Sequence, residues 1–324
     1  NWSNCSVEAG LTTIPDTKTT ITITPTTAIT DIAQAFVLAQ ATGDMATRQT
    51  NDHFVTAEIT GSNNVEFIRT GTSGDAEISY HIIQCGDGDK INVQRGTIIV
   101  GAGAISATGA LFASVDTSRS LVTVSVRSNA SSAADAGSLV TGALQDPTTV
   151  IIQRATAVPS ALQVHYQVIE FTAAANVQVQ TNETTLNAGS ASTTVTLTTA
   201  AATDRTWVYC TYDATDNGLQ QTALGCELTD ASTVTVYRAA ASAYTNRIRI
   251  YTITWPGNTV TVSRGSDTFD STAADNTQVD HTITLASAIT DGLSFPYVTN
   301  TTAGTGIEYP RNRWLYWLPT SNSL

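Results

Sequence analysis

Alternating hydrophobic and polar positions run through most of the chain, and one pair of such segments occurs three times. Ser232 to Pro256 predicts a strand ending at an arginine, a turn of small residues, and a second strand ending near a tryptophan. The segments at 65–85 and 150–171 have the same layout. Period-two alternation rich in valine, isoleucine and threonine is typical of β-strands. Because the pattern recurs, we predict repeated β units.

The repeat divides the chain into an N-terminal arm and four units. The arm covers residues 1–19, and the units cover residues 20–88, 89–174, 175–256 and 257–324. A complete unit contains about six predicted strands, which we name A to F in chain order. The expected fold class is therefore all-β, a tandem array of small antiparallel β-sandwiches of Ig-like or jelly-roll-like type. Because the junctions are too short for free linkers, we expect a stiff rod.

Two segments have a less obvious pattern. Ile29 to Gln40 is the best helical candidate, but it aligns with strands in later units, which favours a strand. In unit 2 the glycine-rich segment 101–109 is interpreted as a loop, and the segment 111–116 as a strand.

The two end units look incomplete. Unit 1 lacks a recognisable strand A before Thr20, and unit 4 has only the segment 306–319 where strands D, E and F belong. A missing strand leaves unpaired backbone groups that can accept a strand from another chain. The arm is therefore a candidate donor strand in an open head-to-tail polymer. The alternative is that the arm folds back and completes unit 1 of its own chain.

Apolar and aromatic residues near both ends of the chain are candidates for a subunit interface, since tryptophan and tyrosine are enriched in binding hot spots. The alternative for the C-terminal group is that it forms the core of unit 4. The candidates are Trp2, Leu11, Ile14, Trp314, Tyr316 and Trp317.

The four cysteines suggest two disulfide bonds. Cys210 and Cys226 flank a predicted hairpin, and unit 1 has small residues at the aligned positions. Cys85 ends the last strand of unit 1, which leaves Cys5 in the arm as its partner. Four cysteines allow three connectivities, so this pairing is an inference.

Five sequons support a secreted chain, as candidate glycosylation sites. They lie at Asn1, Asn4, Asn129, Asn182 and Asn300. The chain begins at Asn1 without a methionine, which favours a mature chain after leader removal, with arbitrary numbering as the alternative. Together with the cysteines, these features predict an extracellular location, at a cell surface or a virion surface.

Composition and motifs exclude several classes of function. A net charge of -12 makes nucleic acid a poor partner, and no run of about 20 apolar residues predicts membrane insertion. No catalytic, cofactor or metal motif occurs, so we expect no cofactor and no enzyme. Asp87 and Asp89 are a weak calcium candidate. The histidines are expected at the surface or the sandwich rim; they are His53, His81, His165 and His281.

We call the repeated pair of strands the signature pair. An arginine ends its first strand each time, at Arg69, Arg154 and Arg238. Its expected role is structural: the stem covers the rim of the sandwich and the guanidinium pairs with a carboxylate or a carbonyl.

In layout, the chain resembles the multi-domain β subunits of extracellular filaments assembled by strand donation. This resemblance implies a secreted structural protein that polymerises with copies of itself, through strand exchange, into a filament or surface sheath. The six-strand unit ending in a tryptophan is also similar to H-type lectin domains and to repeats of phage tail fibres. That second resemblance implies, as the alternative function, an adhesin with glycans as partners.

Overall fold

The computed structural model describes residues 4–43, 50–86, 90–129, 136–215, 224–238, 241–257, 260–262 and 264. Within these residues the chain forms eighteen strands, four short 3-10 helices and one α-helical turn, α1 (Thr50–His53). The strands form six three-stranded antiparallel sheets. The predicted all-β class, with tandem small sandwiches, is confirmed.

Each of units 1, 2 and 3 contributes six strands. Unit 1 contains β1 (Cys5–Ile14), β2 (Thr20–Ile23), β3 (Ala35–Gly43), β4 (Thr56–Gly61), β5 (Asn64–Ile68) and β6 (Ala76–Cys85). Unit 2 contains β7 (Ile91–Val100), β8 (Ser106–Ala110), β9 (Ser120–Ser128), β10 (Thr141–Asp146), β11 (Thr149–Gln153) and β12 (Leu162–Phe171). Unit 3 contains β13 (Gln178–Leu186), β14 (Ser192–Thr196), β15 (Thr206–Ala214), β16 (Gly225–Asp230), β17 (Thr233–Tyr237) and β18 (Asn246–Thr254). The 3-10 helices are Ile32–Gln34, Thr117–Arg119, Ala136–Ser138 and Ala173–Ala175.

The three units share one topology. One sheet has the strand order A–F–C and the other has the order B–E–D, as in β1-β6-β3 and β2-β5-β4 of unit 1. The signature pair therefore supplies the central strand of each sheet, E in one and F in the other. Strands A, B, C and D lie at the edges. The C edge of one sheet and the D edge of the other meet along one side of each sandwich, which we call the C/D edge.

The N-terminal arm contains strand A of unit 1. Strand β1 pairs with β6 along its full length, from Cys5 opposite Cys85 to Ile14 opposite Ala76. The predicted boundary at residue 20 is therefore corrected, because in this structure the segment folds back and completes unit 1 of its own chain. The sequence pattern was obscured by Gly10, which lies opposite Tyr80: a Cβ at Gly10 would lie 2.3 Å from the Tyr80 hydroxyl oxygen.

The signature arginines are buried structural groups. Arg154 is 1% exposed, and its guanidinium donates to the carbonyls of Gly101 (2.8 Å), Ala104 (2.6 Å) and Ser160 (2.9 Å). Arg69 and Arg238 bind carbonyls at the matching positions of their own units. Each arginine thus ties the A–B and E–F connections to the end of strand E. The expected carbonyl pairing is correct.

Two local predictions in unit 2 were wrong. The segment interpreted as a loop contains strand β8 (Ser106–Ala110), and the predicted strand at 111–116 is instead a connection to a 3-10 helix. Strand β8 lies at a sheet edge, where its small residues are alternately exposed and half-buried. Such a segment lacks the large apolar residues by which a strand is recognised.

Unit 4 and the C-terminal aromatic residues Trp314, Tyr316 and Trp317 lie outside the described residues, except for positions 257, 260–262 and 264.

Candidate functional site

The most distinctive contact in the molecule joins one unit to the next. The outer face of the A–F–C sheet of unit 2 lies against the C/D edge of unit 1. At its centre, Gln167 of β12 binds the backbone of Val37, an edge residue of β3. The Val37 N–H donates to Gln167 Oε1 at 3.0 Å, and Gln167 Nε2 donates to the Val37 carbonyl at 2.7 Å. The amide side chain therefore pairs with the free strand edge as a neighbouring strand would.

A hydroxyl on strand C makes a second contact of this kind. The N–H of Ala57, on edge strand β4, donates to Ser125 Oγ of β9 at 3.0 Å. At the next junction the N–H of Gly142, on β10, donates to Thr211 Oγ1 of β15 at 3.3 Å. Ala57 and Gly142 are the second residues of their D strands, so the two junctions use matching positions.

Two tyrosines complete the junction between units 2 and 3. Tyr251 lies at the position of Gln167; it accepts from the Val122 backbone and donates to the Gly142 carbonyl at 3.1 Å. Tyr209 accepts from the Val124 N–H at 3.4 Å. Burial raises the pKa of Tyr209 to about 12, so the hydroxyl stays protonated at neutral pH.

An arginine on strand A fixes the start of strand C in the preceding unit. Arg95 of β7 donates to the carbonyl of Ala35 at 2.7 Å and to the carbonyl of Ile32. Arg264, at the opening of unit 4, donates to the carbonyls of Thr203 and Thr206 of unit 3. Thr206 and Ala35 are both first residues of their C strands. The beginning of unit 4 therefore meets unit 3 as unit 2 meets unit 1.

These contacts provide partners for backbone groups of the edge strands. An edge strand presents unpaired N–H and carbonyl groups, which cost free energy when buried and promote aggregation when exposed. In the described part of the chain, units 2 and 3 each cover the C/D edge of the unit before and supply polar side chains for some of those groups.

Titratable groups also meet at the first junction. His165 of β12 is buried, with its Nδ1 3.8 Å from Glu58 Oε2 of unit 1. Burial, together with the nearby Arg95 charge, lowers the pKa of His165 to about 4. The imidazole is therefore neutral at pH 7.

The expectation that the histidines lie at the surface or rim needs correction. His53, His81 and His165 are 0%, 4% and 2% exposed, and His165 lies where unit 2 packs against Glu58 of unit 1. His281 lies outside the described residues.

Both disulfide bonds are present in the expected pairing. Cys5–Cys85 ties strand A to strand F in unit 1, and Cys210–Cys226 joins strand C to strand D across the two sheets of unit 3. The two bonds indicate an oxidising, extracellular environment.

The other predicted residues are scattered. Asn4 and Asn129 are exposed and Asn182 is half-buried in β13, while Asn1 and Asn300 lie outside the described residues. Glycosylation at these sequons stays a prediction.

The residues predicted to lie at a subunit interface also differ in exposure. Leu11 is 53% exposed on β1, whereas Ile14 is fully buried in the core of unit 1 and is removed from the interface set. Trp2 lies outside the described residues.

Sequence reasoning missed the junction residues Gln167, Ser125, Tyr251 and Thr211. A signal was present, because strands C and F carry apolar residues on both faces, as in β12, where eight of ten residues are buried. Strands buried on both faces indicate that a second layer covers the sheet.

Within the described residues, no group of three or more metal-ligating side chains comes together. The calcium candidates Asp87 and Asp89 lie outside them. The helices in the described part are all too short to cross a bilayer. Comparison with protein-family models and with curated protein sequences gave no match to this chain.

Proposed function

We propose that the chain is a secreted structural protein, a rod of β-sandwiches that assembles head to tail into an extracellular filament or surface sheath. The observation that carries this proposal is the repeated junction. The outer face of one unit covers the edge of the unit before it at both complete junctions, and Arg264 begins the same contact at a third. A contact that is not closed by symmetry extends indefinitely, which is how heterologous interfaces form filaments.

The mechanism differs from strand donation by the N-terminal segment. Strand β1 is already paired with β6 and tied to it by the Cys5–Cys85 bond. Assembly would instead use the covering of a sheet face by an edge, as within the chain. In this function the protein needs no catalytic residues and no cofactor, and its partner is a second copy of itself.

The proposal is tested by negative-stain microscopy of the purified full chain over a range of concentrations. We expect filaments with a regular axial repeat, which lengthen as the concentration rises. Short discrete rods at every concentration would contradict the proposal.

One observation favours the alternative, a glycan-binding adhesin. Phe112, on the B–C connection of unit 2, is fully exposed beside an open groove of about 700 Å³. Polar side chains from Gln94, Arg95 and Glu170 line the same groove. An aromatic ring beside a few convergent polar groups is a common form of small-ligand site.

A glycan array separates this alternative from the first proposal. Binding that is lost in Phe112→Ala but kept in Ile105→Ala, at a residue that is 55% exposed, would favour the adhesin. An array on which the protein binds no glycan would contradict the adhesin alternative.

A further inference from the structure

We propose that the outer face of the A–F–C sheet of unit 1 is the docking surface for a second copy of this chain and receives a C/D edge of that copy. We call this surface the leading face and define it by Val7, Leu11, His81 and Ile83. The inference rests on the proposed function, and it names the surface through which assembly occurs.

The apolar part of the leading face matches the covered faces of units 2 and 3. In unit 1, Val7 lies opposite Ile83, and Ile83 lies opposite Phe36. The same register positions hold an apolar triplet in each later unit: Val93, Ile169 and Leu121, then Val179, Ile253 and Trp207.

The exposure of these residues differs between the units. Ile169 and Ile253 are fully buried, and Val93 and Val179 are 6% and 7% exposed, where the preceding unit covers them. Val7 and Ile83 are only half-buried. Phe36 is 8% exposed and lies in the same buried cluster as Val93 and Ile169, so the accessible apolar part of this triplet is Val7 and Ile83.

Leu11 extends the apolar surface along β1. Its side chain is 53% exposed and lies opposite Ser79, on the same face as Val7. The matching residues in units 2 and 3 are polar: Thr97 lies opposite His165, and Glu183 lies opposite Arg249. Leu11 therefore adds an exposed apolar side chain to the half-buried pair Val7 and Ile83, and contiguous apolar surface of this kind marks a surface that binds a partner.

The polar centre of the leading face also matches a position that makes junction contacts in the later units. His81 lies opposite Ala9 and Leu38, the register position held by Gln167 in unit 2 and Tyr251 in unit 3. Those two side chains bind edge backbone groups of the preceding unit. His81 is 4% exposed, and its Nε2 has no hydrogen-bond partner among the described residues. A neutral imidazole has one donor and one acceptor, as the edge requires.

These observations favour a second copy over an unrelated partner. The face repeats, at matching register positions, the pattern that binds a C/D edge at two junctions of the same chain. The leading face would continue across the subunit boundary the interface that already exists inside the molecule.

The test compares assembly of the full chain with that of two variants at exposed positions. Leu11→Glu places a charge on the leading face, whereas Ile99→Glu places one on the A strand of unit 2, where Ile99 is 64% exposed. We expect Leu11→Glu to lower the mass of filaments by about tenfold, as for a hot-spot residue, and Ile99→Glu to assemble normally. Circular dichroism confirms that both variants fold.

A second measurement identifies the partner directly. A photoreactive phenylalanine in place of Leu11 should give a covalent dimer of this chain, and mass spectrometry should place the crosslink on an edge of the second copy. Filaments that form equally well in Leu11→Glu would contradict the docking role of the leading face while leaving the proposed function in place. A crosslink only to other molecules would also overturn it. A wild-type chain that forms neither filaments nor crosslinked dimers would contradict both proposals.

Discussion

Gln167 and Val37 are 130 residues apart in sequence and are joined by two hydrogen bonds, at 3.0 Å and 2.7 Å. Through them a single amide side chain of unit 2 satisfies both backbone groups of an edge residue in unit 1. The hydroxyls of Ser125, Thr211 and Tyr251 make related contacts. By stacking its units, the chain therefore covers C/D edges that would otherwise be exposed. Each of these junctions is a small interface inside one polypeptide.

Replacement of Gln167 by alanine should destabilise the chain. Both bonds to Val37 are lost and two edge groups are left buried without partners, so we expect a loss of about 2 to 3 kcal/mol in the free energy of unfolding. Urea denaturation of the full chain measures it. The matched control is Gln163→Ala on the same strand face, where the side chain binds only Arg127 of its own unit. A loss in Gln167→Ala no larger than in this control would contradict the role assigned to the junction.

Replacement of Arg154 by lysine should be costly although the charge is kept. The planar guanidinium reaches several carbonyls at once, and a single ammonium cannot match that geometry. We expect a loss of about 2 to 4 kcal/mol, measured by thermal and urea unfolding. Arg249→Lys is the control, because Arg249 pairs with the half-exposed Glu183 and should change stability by less than about 1 kcal/mol. Equal effects in the two variants would be inconsistent with the carbonyl clamp.

The A–B turn of unit 1 contains a strained residue. Thr17 has a φ of 69°, and the matching turn positions in units 2 and 3 are Gly103 (φ 73°) and Gly189 (φ 79°). A β-branched residue is unfavourable in this left-handed region. We therefore expect Thr17→Gly to stabilise the chain by about 0.5 to 1 kcal/mol and Gly103→Thr to destabilise it by at least as much. Calorimetry checks both, and a Thr17→Gly variant less stable than the wild type would refute the strain.

Loss of the disulfide bonds should reduce stability by amounts set by loop length. The bonds close loops of different size, with sequence separations of 80 for Cys5–Cys85 and 16 for Cys210–Cys226. The chain-entropy relation gives losses of about 4.5 and about 3 kcal/mol when each pair is replaced by alanines. Denaturant unfolding of the two double variants tests the order, and a larger loss for the shorter loop would contradict it.

Acidification should lower the free energy of unfolding. Burial lowers the pKa of His81 and His165 to about 4, whereas both protonate near 6.5 when unfolded, so their stabilising contribution is lost as the pH falls from 6.5 toward 4. Burial raises the pKa of Asp213 to about 6, which acts in the opposite direction between pH 4 and pH 6. The net loss between pH 7 and pH 5 should be about 2 to 3 kcal/mol.

Two variants separate these contributions. His165→Gln should flatten the dependence of the unfolding free energy on pH, and Asp213→Asn should make it steeper. A slope unchanged in both variants would show that these groups do not control it.

Much of the fold follows from local pattern. The arginine that ends strand E and the alternating strand F predicted the repeat, and small residues aligned with Cys210 and Cys226 predicted one disulfide. Strand β1 escaped detection because Gly10 interrupts its alternation to accommodate Tyr80. The junction contacts could not be predicted, since a polar residue such as Gln167 shows its partner only when the neighbouring unit is in place.

The most direct test of the stacked junction is amide hydrogen exchange of the full chain, followed at the edge residues Val37, Ala57 and Gly142. These residues lie on edge strands, but their N–H groups are bonded to side chains of the next unit. We predict protection comparable to that of amides in the central strands. Exchange of these amides within the time typical of open sheet edges would contradict the face-to-edge junction and the assembly built on it.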